Sequence, residues 1–459
     1  MPKWLKSMRD GNTREKDRPR LVMAFTLELN YLFLKLGFFS IAAGCRAATI
    51  GSFGLAPVPF VIQEISMTSR RLVLSRSAAL IGAASTAVLL PQWARAQSNK
   101  LRVGLMLPAT GAFAPLGVAI ENGFRMALDE QGGKLGGRDI EFFKVDDESD
   151  PPKGIENANK LVLRDKVDVI IGTVHSGVQM GIHKVARDTG VLSLIPNAGV
   201  HAATRALCAP NVFRTSFSNS QPTRALGKAM VDRGHKRAVW ISWKYAAGDE
   251  AFEGFKEGYT AAGGTILKEL GLPFPNVEFQ SLLTEIAAIK PDAVACFFAS
   301  TPKFLLDYAA AGLKDKIPLY GSGFLTEGQL EAAGPAANGV MTTLHYGDGI
   351  DTPRNKAFRL AYAKTYKSQP DVYAVQGYDT GLLLAMGANA VKGDLNNKAA
   401  LYKAMESATI DSPRGKWKMS KSHNPIQDIY LRVVENKENK VIGIAAKALE
   451  DSGAGCKMA

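Results

Sequence analysis

From Leu101 onward, short apolar runs alternate with stretches whose apolar residues recur at helical spacing. LRVGLMLP (101–108) has the length and composition of a buried strand, and Ala119 to Glu130 then carries Ile120, Phe124, Met126 and Ala127 on one helical face. The rhythm repeats. IEFFKVDD (140–147) reads as a strand, Pro152 to Arg164 as a helix, VDVIIG (167–172) as a strand, Ser176 to Asp188 as a helix and VLSLIP (191–196) as a strand. Such alternation predicts a parallel sheet with helices on both faces. NVFRTS (211–216) opens a second series, with strands RAVWIS (237–242), AVACFF (293–298) and IPLYGS (317–322) and helices at 248–262 and 302–312. GVMTTLHYG (339–347) follows, then helices near 354–368 and 373–391. The stretch IYLRVVENKENKVIGIAAK reads as two strands around a polar turn at Glu435 to Lys440.

Ahead of this body, residues 67–97 read MTSRRLVLSRSAALIGAASTAVLLPQWARAQ. Arg70, Arg71 and Arg76 give a positive start, Ala78 to Leu90 is uncharged, and Ala94-Arg95-Ala96 offers the small side chains a signal peptidase admits. The apolar stretch falls short of the ~20 residues of a membrane span. The expectation is an export signal at 67–96, of twin-arginine type through Ser69 to Leu74, with cleavage leaving Gln97 first. Residues 1–66 then read as an upstream extension that is not native to the protein, and Met67 as the start. N-terminal sequencing of exported protein checks this, and a mature start before Gln97 overturns it.

Composition changes the picture little. The chain of 459 residues has a net charge of +13, but residues 1–96 hold 13 basic and 5 acidic side chains, and the remainder carries only +5. The basic balance therefore gives no reason to expect nucleic acid as a partner. The four cysteines, Cys45, Cys208, Cys296 and Cys456, form no CxxC pair, so a zinc site of ordinary spacing is not expected. Asp146, Asp147, Glu148 and Asp150 lack the glycine turn and terminal glutamate of a calcium loop and read as a solvated turn before a helix. Motifs for serine hydrolases, P-loops, zincins and dinucleotide sites are missing.

The segments VGLMLPATGAFAPLG, VDD-x-x-DPP, VDVIIGTVHSG, VLSLIPNAG, NVFRTS, YAAGDEAFEGF and VQGYDTGLLL, in this order and spacing, resemble the periplasmic branched-chain amino-acid-binding family, over residues 100–450. The resemblance implies an α/β, two-lobed periplasmic binding protein type I fold, with parallel sheets flanked by helices and a three-crossover hinge. Lobe one is expected at 97–216 plus 348–415, lobe two at 217–347 plus 416–450, and a C-terminal tail at 451–459. It further implies a monomeric, non-enzymatic, cofactor-free receptor in the periplasm that hands a small molecule to the membrane permease of an ABC importer. A sensory module on the same fold is the alternative. In the oxidising compartment that export implies, Cys208 and the tail's Cys456 are expected to form a bridge that pins the tail to lobe one, the alternative being two surface thiols. Cys296, inside AVACFF, reads as a buried thiol.

Ligands of open parallel sheets bind beyond the strand C-termini, where helix N-termini point N–H groups outward. Two strand-to-helix junctions have this form: Val174-His175-Ser176, with Ser176 as helix cap, and Asn197-Ala198-Gly199, with a helix expected from Val200. The resemblance assigns both a grip on a ligand carboxylate. Around them the expected pocket is lined by Phe113, Leu116, Tyr245, Phe298, Gly323, Phe324 and Tyr346. His175 has no catalytic companions and reads as a lining or loop residue. Tyr378 and Asp379 read as packing. Members of the family that bind α-amino acids place an acid after the IPLYGS-type strand, where this chain has Gly321-Ser322-Gly323-Phe324. An unpaired buried ammonium costs several kcal/mol. The expectation is therefore an aromatic or hydrophobic carboxylate, with a branched-chain amino acid or amide as the alternative.

Overall fold

The computed structural model describes residues 100–459. The upstream stretch 1–66, the export signal at 67–96 and the cleavage after Ala96 lie outside the described residues.

The first series builds one sheet. Strands β1 (Leu101–Leu107), β2 (Lys134–Leu135), β3 (Arg138–Asp146), β4 (Val169–Ile171), β5 (Leu192–Ile195) and β6 (Val212–Arg214) lie in the order β2-β3-β1-β4-β5-β6. All pair in parallel except the β2–β3 hairpin. Helices α1 (Ala114–Asp129), α2 (Pro151–Asn159) and α3 (Ser176–Thr189) connect them. Parallel strands are covered on both faces, and β1, β4 and β5 are accordingly apolar almost throughout.

The chain then crosses to a second sheet through α4 (Ser220–Asp232). Strands β7 (Arg237–Lys244), β8 (Thr265–Pro273), β9 (Ala293–Phe297), β10 (Leu319–Ser322) and β11 (Met341–Leu344) alternate with α5 (Ala246–Ala261), α6 (Gln280–Ile289) and α7 (Pro302–Ala310). It returns to the first body as α8 (Pro353–Tyr366), α9 (Val372–Ala390) and α10 (Lys398–Glu406), and continues through β12 (Thr409–Ser412) and β13 (Gly415–Met419). Strands β14 (Pro425–Glu435) and β15 (Glu438–Leu449) close the second sheet, ordered β12-β13-β14-β11-β10-β9-β7-β8 with β15 on β14. Phe124 of α1 and Leu383 and Leu384 of α9 pack on Leu101, Val103 and Leu105 of β1. Glycine lets α1 and α9 touch: a Cβ on Gly377 would lie 1.9 Å from the Ile120 carbonyl oxygen, and one on Gly123 would lie 1.9 Å from that of Ala374.

Ile410, Trp417 and Met419 share the core of β1 and α9. The β12–β13 hairpin therefore packs with the first lobe, and the third crossing lies at 420–425 rather than near 416. The hairpin's anchors are buried: Arg414 Nε sits 2.8 Å from Asp379 Oδ2, and Trp417 Nε1 donates to the same oxygen at 3.0 Å. Beyond β15 the tail runs back to the first lobe. There Asp451 accepts from Arg205 at 2.8 Å and Ser218 at 2.6 Å, and Cys456 is bonded to Cys208. Cys296 is a buried free thiol.

Several elements carry no clear signal in the chain. In β8 the adjacent charges Lys268 and Glu269 lie on an exposed sheet edge, so the apolar alternation is broken. Helix α4 opens on the polar run SQPTR, and α10 is only 9 residues long.

Candidate ligand-binding site

Loops from the C-terminal ends of β1, β4 and β5 in the first lobe meet loops after β7, β9 and β10 in the second. Between them lies a cavity of about 340 Å³ of space between atoms, of which about 30 Å³ is open to the centre of a water molecule. The room open to a water molecule, about 30 Å³, is far below the roughly 300–1,000 Å³ usual for small-molecule sites, so the cavity must widen to admit a ligand. Phe113, Leu116 and Val174 wall it from the first lobe, and Tyr245, Ala247, Phe297, Ala299 and Phe324 from the second. Phe217 enters from the first crossing and Tyr373 from the start of α9. Phe324 is the hub of this wall, with ring centres 4.7 Å from Phe217, 6.1 Å from Tyr373 and 6.3 Å from Phe297.

The polar lining is Ser176, Asn197, Gly199 and Asn219, together with the tyrosine hydroxyls. Among the described residues, no charged side chain lines the cavity. Asn197 Nδ2 is spent on Gln376 Oε1 at 2.7 Å. The Tyr373 hydroxyl is buried without a partner among the described residues. Burial pushes its pKa well up, so it is a neutral donor. Glu250, one turn into α5, stands behind Asn219: its Oε2 accepts from Asn219 Nδ2 at 2.7 Å, and both of its oxygens accept from the His201 N–H at 3.0 Å. Burial raises the Glu250 carboxyl to about 7.

Several residues expected in the pocket stand elsewhere. His175, not Ser176, caps α3: its Nδ1 accepts from Gly177 N at 3.1 Å and Val178 N at 3.4 Å, and Ser176 is the first helical residue. Burial holds His175 at about 4, so the imidazole is neutral and can accept. Those two N–H groups are thereby taken from any ligand. The helix expected from Val200 is only the single turn His201–Ala203, and the Ala198 N–H donates to Thr173 O at 3.0 Å, away from the cavity. Phe298 points to the opposite face of the sheet, against Trp243, Phe279 and Phe304. Its neighbour Phe297 faces the cavity, as the two-residue period of a strand requires. Gly323 packs against the Arg432 guanidinium, which donates to its carbonyl at 3.1 Å. The Tyr346 hydroxyl donates to Asn355 Oδ1 at 3.1 Å and is buried in the core.

Phe217, Asn219 and Phe297 were not assigned to the site from the sequence, and Tyr373, an aromatic candidate there, was not placed in the expected pocket. Phe217 and Asn219 do lie just past the end of β6, where the first crossing begins, and that position was the available signal. Asp147, expected in a solvated turn, is buried and hydrogen-bonded to Thr173 and to the Ser149 N–H.

Over the cavity, four rings from both lobes meet. Phe274 from the end of β8 lies 4.9 Å from Tyr245, 5.2 Å from His175 and 5.3 Å from Phe113. The lobes are thus in contact across the site.

The sequence profile of the family described as periplasmic binding protein matches residues 100–439. A Leu/Ile/Val-binding protein homologue from Brucella suis biovar 1 is 27% identical over 353 residues, covering 75% of this chain and 90% of its own. Among solved structures, an ABC-transporter solute-binding protein from R. palustris, crystallised with benzoate, is 51% identical. It covers 78% of this chain and 99% of its own, at a TM-score of 0.76. A second solute-binding protein, from Rhodopseudomonas palustris BisB5 in complex with 3,4-dihydroxybenzoic acid, is 30% identical with a TM-score of 0.73, covering 77% of this chain and 99% of its own.

Proposed function

We propose that this chain, which belongs to the periplasmic binding protein family, closes its two lobes around a small aromatic carboxylate and delivers it to the permease of an ABC importer. It is a solute-binding protein of an ABC transporter and not an enzyme. The observation that carries the ligand class is the cavity itself: ring walls, no charged side chain among the described residues, and hydroxyl donors at Ser176, Tyr245 and Tyr373. Rings favour a flat apolar body, by about 0.5–1.5 kcal/mol per contact beyond area burial. Donors without a cation suit a carboxylate, because hydrogen bonds to an ionised group are about twice as strong as neutral ones. The benzoate held by the R. palustris protein supports the same class.

The names of the Brucella relatives raise a branched-chain amino acid instead. Its ammonium would need a counter-charge. Glu327, the nearest acid after the β10 loop, is consumed by buried Arg432 and by the Val372 N–H, and does not line the cavity. Export by the signal at 67–96 to the periplasm completes the reading. A thermal-shift titration tests it. Benzoate or 4-hydroxybenzoate at about 100 times its dissociation constant should add roughly 2.7 kcal/mol of stability, and leucine should add none. Stabilisation by leucine with none by the aromatic acids overturns the ligand class.

A further inference from the structure

We propose that Glu250 is a positioning residue that sets the hydrogen-bond polarity of the cavity, so that Ser176 presents a proton, and not a lone pair, to the ligand. The inference rests on the carboxylate reading above and deepens it. An ionised carboxylate only accepts hydrogen bonds. Asn219 must therefore turn its NH2 group to Glu250, and Nδ2 lies 2.7 Å from Glu250 Oε2. The same nitrogen lies 3.3 Å from Ser176 Oγ, so the serine oxygen accepts there. The single Ser176 proton is left to point elsewhere. It has no acceptor among the described residues, and Ser176, 2% exposed, lines the cavity. Polarity thus passes from Glu250 through Asn219 to Ser176, and the donor so presented favours an anion in a cavity whose lining, among the described residues, holds no acid.

The relay is braced and crosses the cleft. Glu250 rides on α5 of the second lobe, while Ser176 and His201 belong to the first. The His201 N–H holds both Glu250 oxygens. The His201 ring stands against Arg205, which is fixed in turn by Asp451. The Gly199 backbone closes the other side of Asn219: a Cβ there would meet Asn219 Oδ1 at 2.3 Å.

Glu250→Gln reverses the sense. Its amide can donate to Asn219 Oδ1, the Asn219 amide turns over, and Ser176 then donates to Asn219 and shows its lone pairs to the ligand. Calorimetry with benzoate and benzamide, at about pH 8 so that Glu250 is ionised in the wild type, reads the outcome. The wild type should prefer benzoate. Glu250→Gln should lose about tenfold or more in benzoate affinity with benzamide unchanged or tighter, while Glu250→Asp keeps the preference for benzoate. In a Ser176→Ala background, Glu250→Gln should have little further effect on benzoate. Equal loss of both ligands, or an undiminished effect without the serine hydroxyl, overturns the relay while benzoate binding by the wild type stands. A wild type that binds neither benzoate nor 4-hydroxybenzoate overturns the carboxylate reading and the relay with it.

Discussion

Tyr373 is 1% exposed, and its hydroxyl has no acceptor among the described residues. Such a group costs stability until a ligand satisfies it. Tyr373→Phe should therefore leave the unliganded protein as stable or slightly more so, and weaken benzoate by about tenfold or more; calorimetry and a thermal melt measure the two effects. Burial also organises the titrating residues. It holds His175 and His183 at about 4 and His201 at about 3, against 6.5 in the unfolded chain, and raises Asp147 to about 6 and Glu250 and Asp371 to about 7. A lowered histidine lends stability that is full above about pH 6.5 and lost as pH falls toward its folded value. A raised carboxyl does the reverse: its contribution is greatest below its unfolded value and is lost as pH rises to about 7. The two trends oppose each other in one window, so stability should be nearly flat between about pH 5 and 7. Glu250→Gln removes one opposing acid, and its stability should climb more steeply with pH there, as urea denaturation at both ends would show. At this scale the sequence was partly legible. Phe113, Ser176, Tyr245 and Phe324 stand at the ends of apolar runs, which marks them. Phe297 ends β9 and Phe298 follows it, and only the register of β9 against β7 and β10 decides which of the two faces the cavity.

Helices α1 and α9 meet through glycine, and this contact carries Tyr373 to the cavity. An added methyl at Gly377 would strike backbone, which cannot move aside as a side chain can. Gly377→Ala improves helix propensity by about 1 kcal/mol but forces the helices apart. A net loss of roughly 2 kcal/mol is expected in chemical denaturation, together with weaker benzoate binding as Tyr373 shifts. The alternating elements that build this contact were legible, since β1, β4 and β5 are short apolar runs buried on both faces and α1 and α3 each bury one face. The cap of α3 was not. Both His175 and Ser176 can accept from a helix N-terminus, and the choice falls to His175 because burial keeps its imidazole neutral. Strand β8 escaped because charges on its exposed edge break the alternation, and the β12–β13 hairpin because Trp417 is buried against first-lobe residues far away in the chain.

The molecule as a whole is two α/β lobes joined at 215–219, 345–352 and 420–425, with the candidate cavity between them. The two series of strands were visible in the chain, but the lobe to which the β12–β13 hairpin attaches was set by the burial of Trp417 and Arg414 against α9. The disulfide adds something the three crossings do not. Cys208 and Cys456 are 248 positions apart, so the bond closes a covalent ring around all of the second lobe and all three crossings. A single nick inside the ring cannot release a fragment. If a specific protease site is inserted after Lys367, exposed at the end of α8, cleavage should leave one species on a gel without reductant and two with it. The nicked protein should still hold both halves of its cavity together. A nick in the first hundred residues of the described body, which lie outside the ring, has no such covalent safeguard.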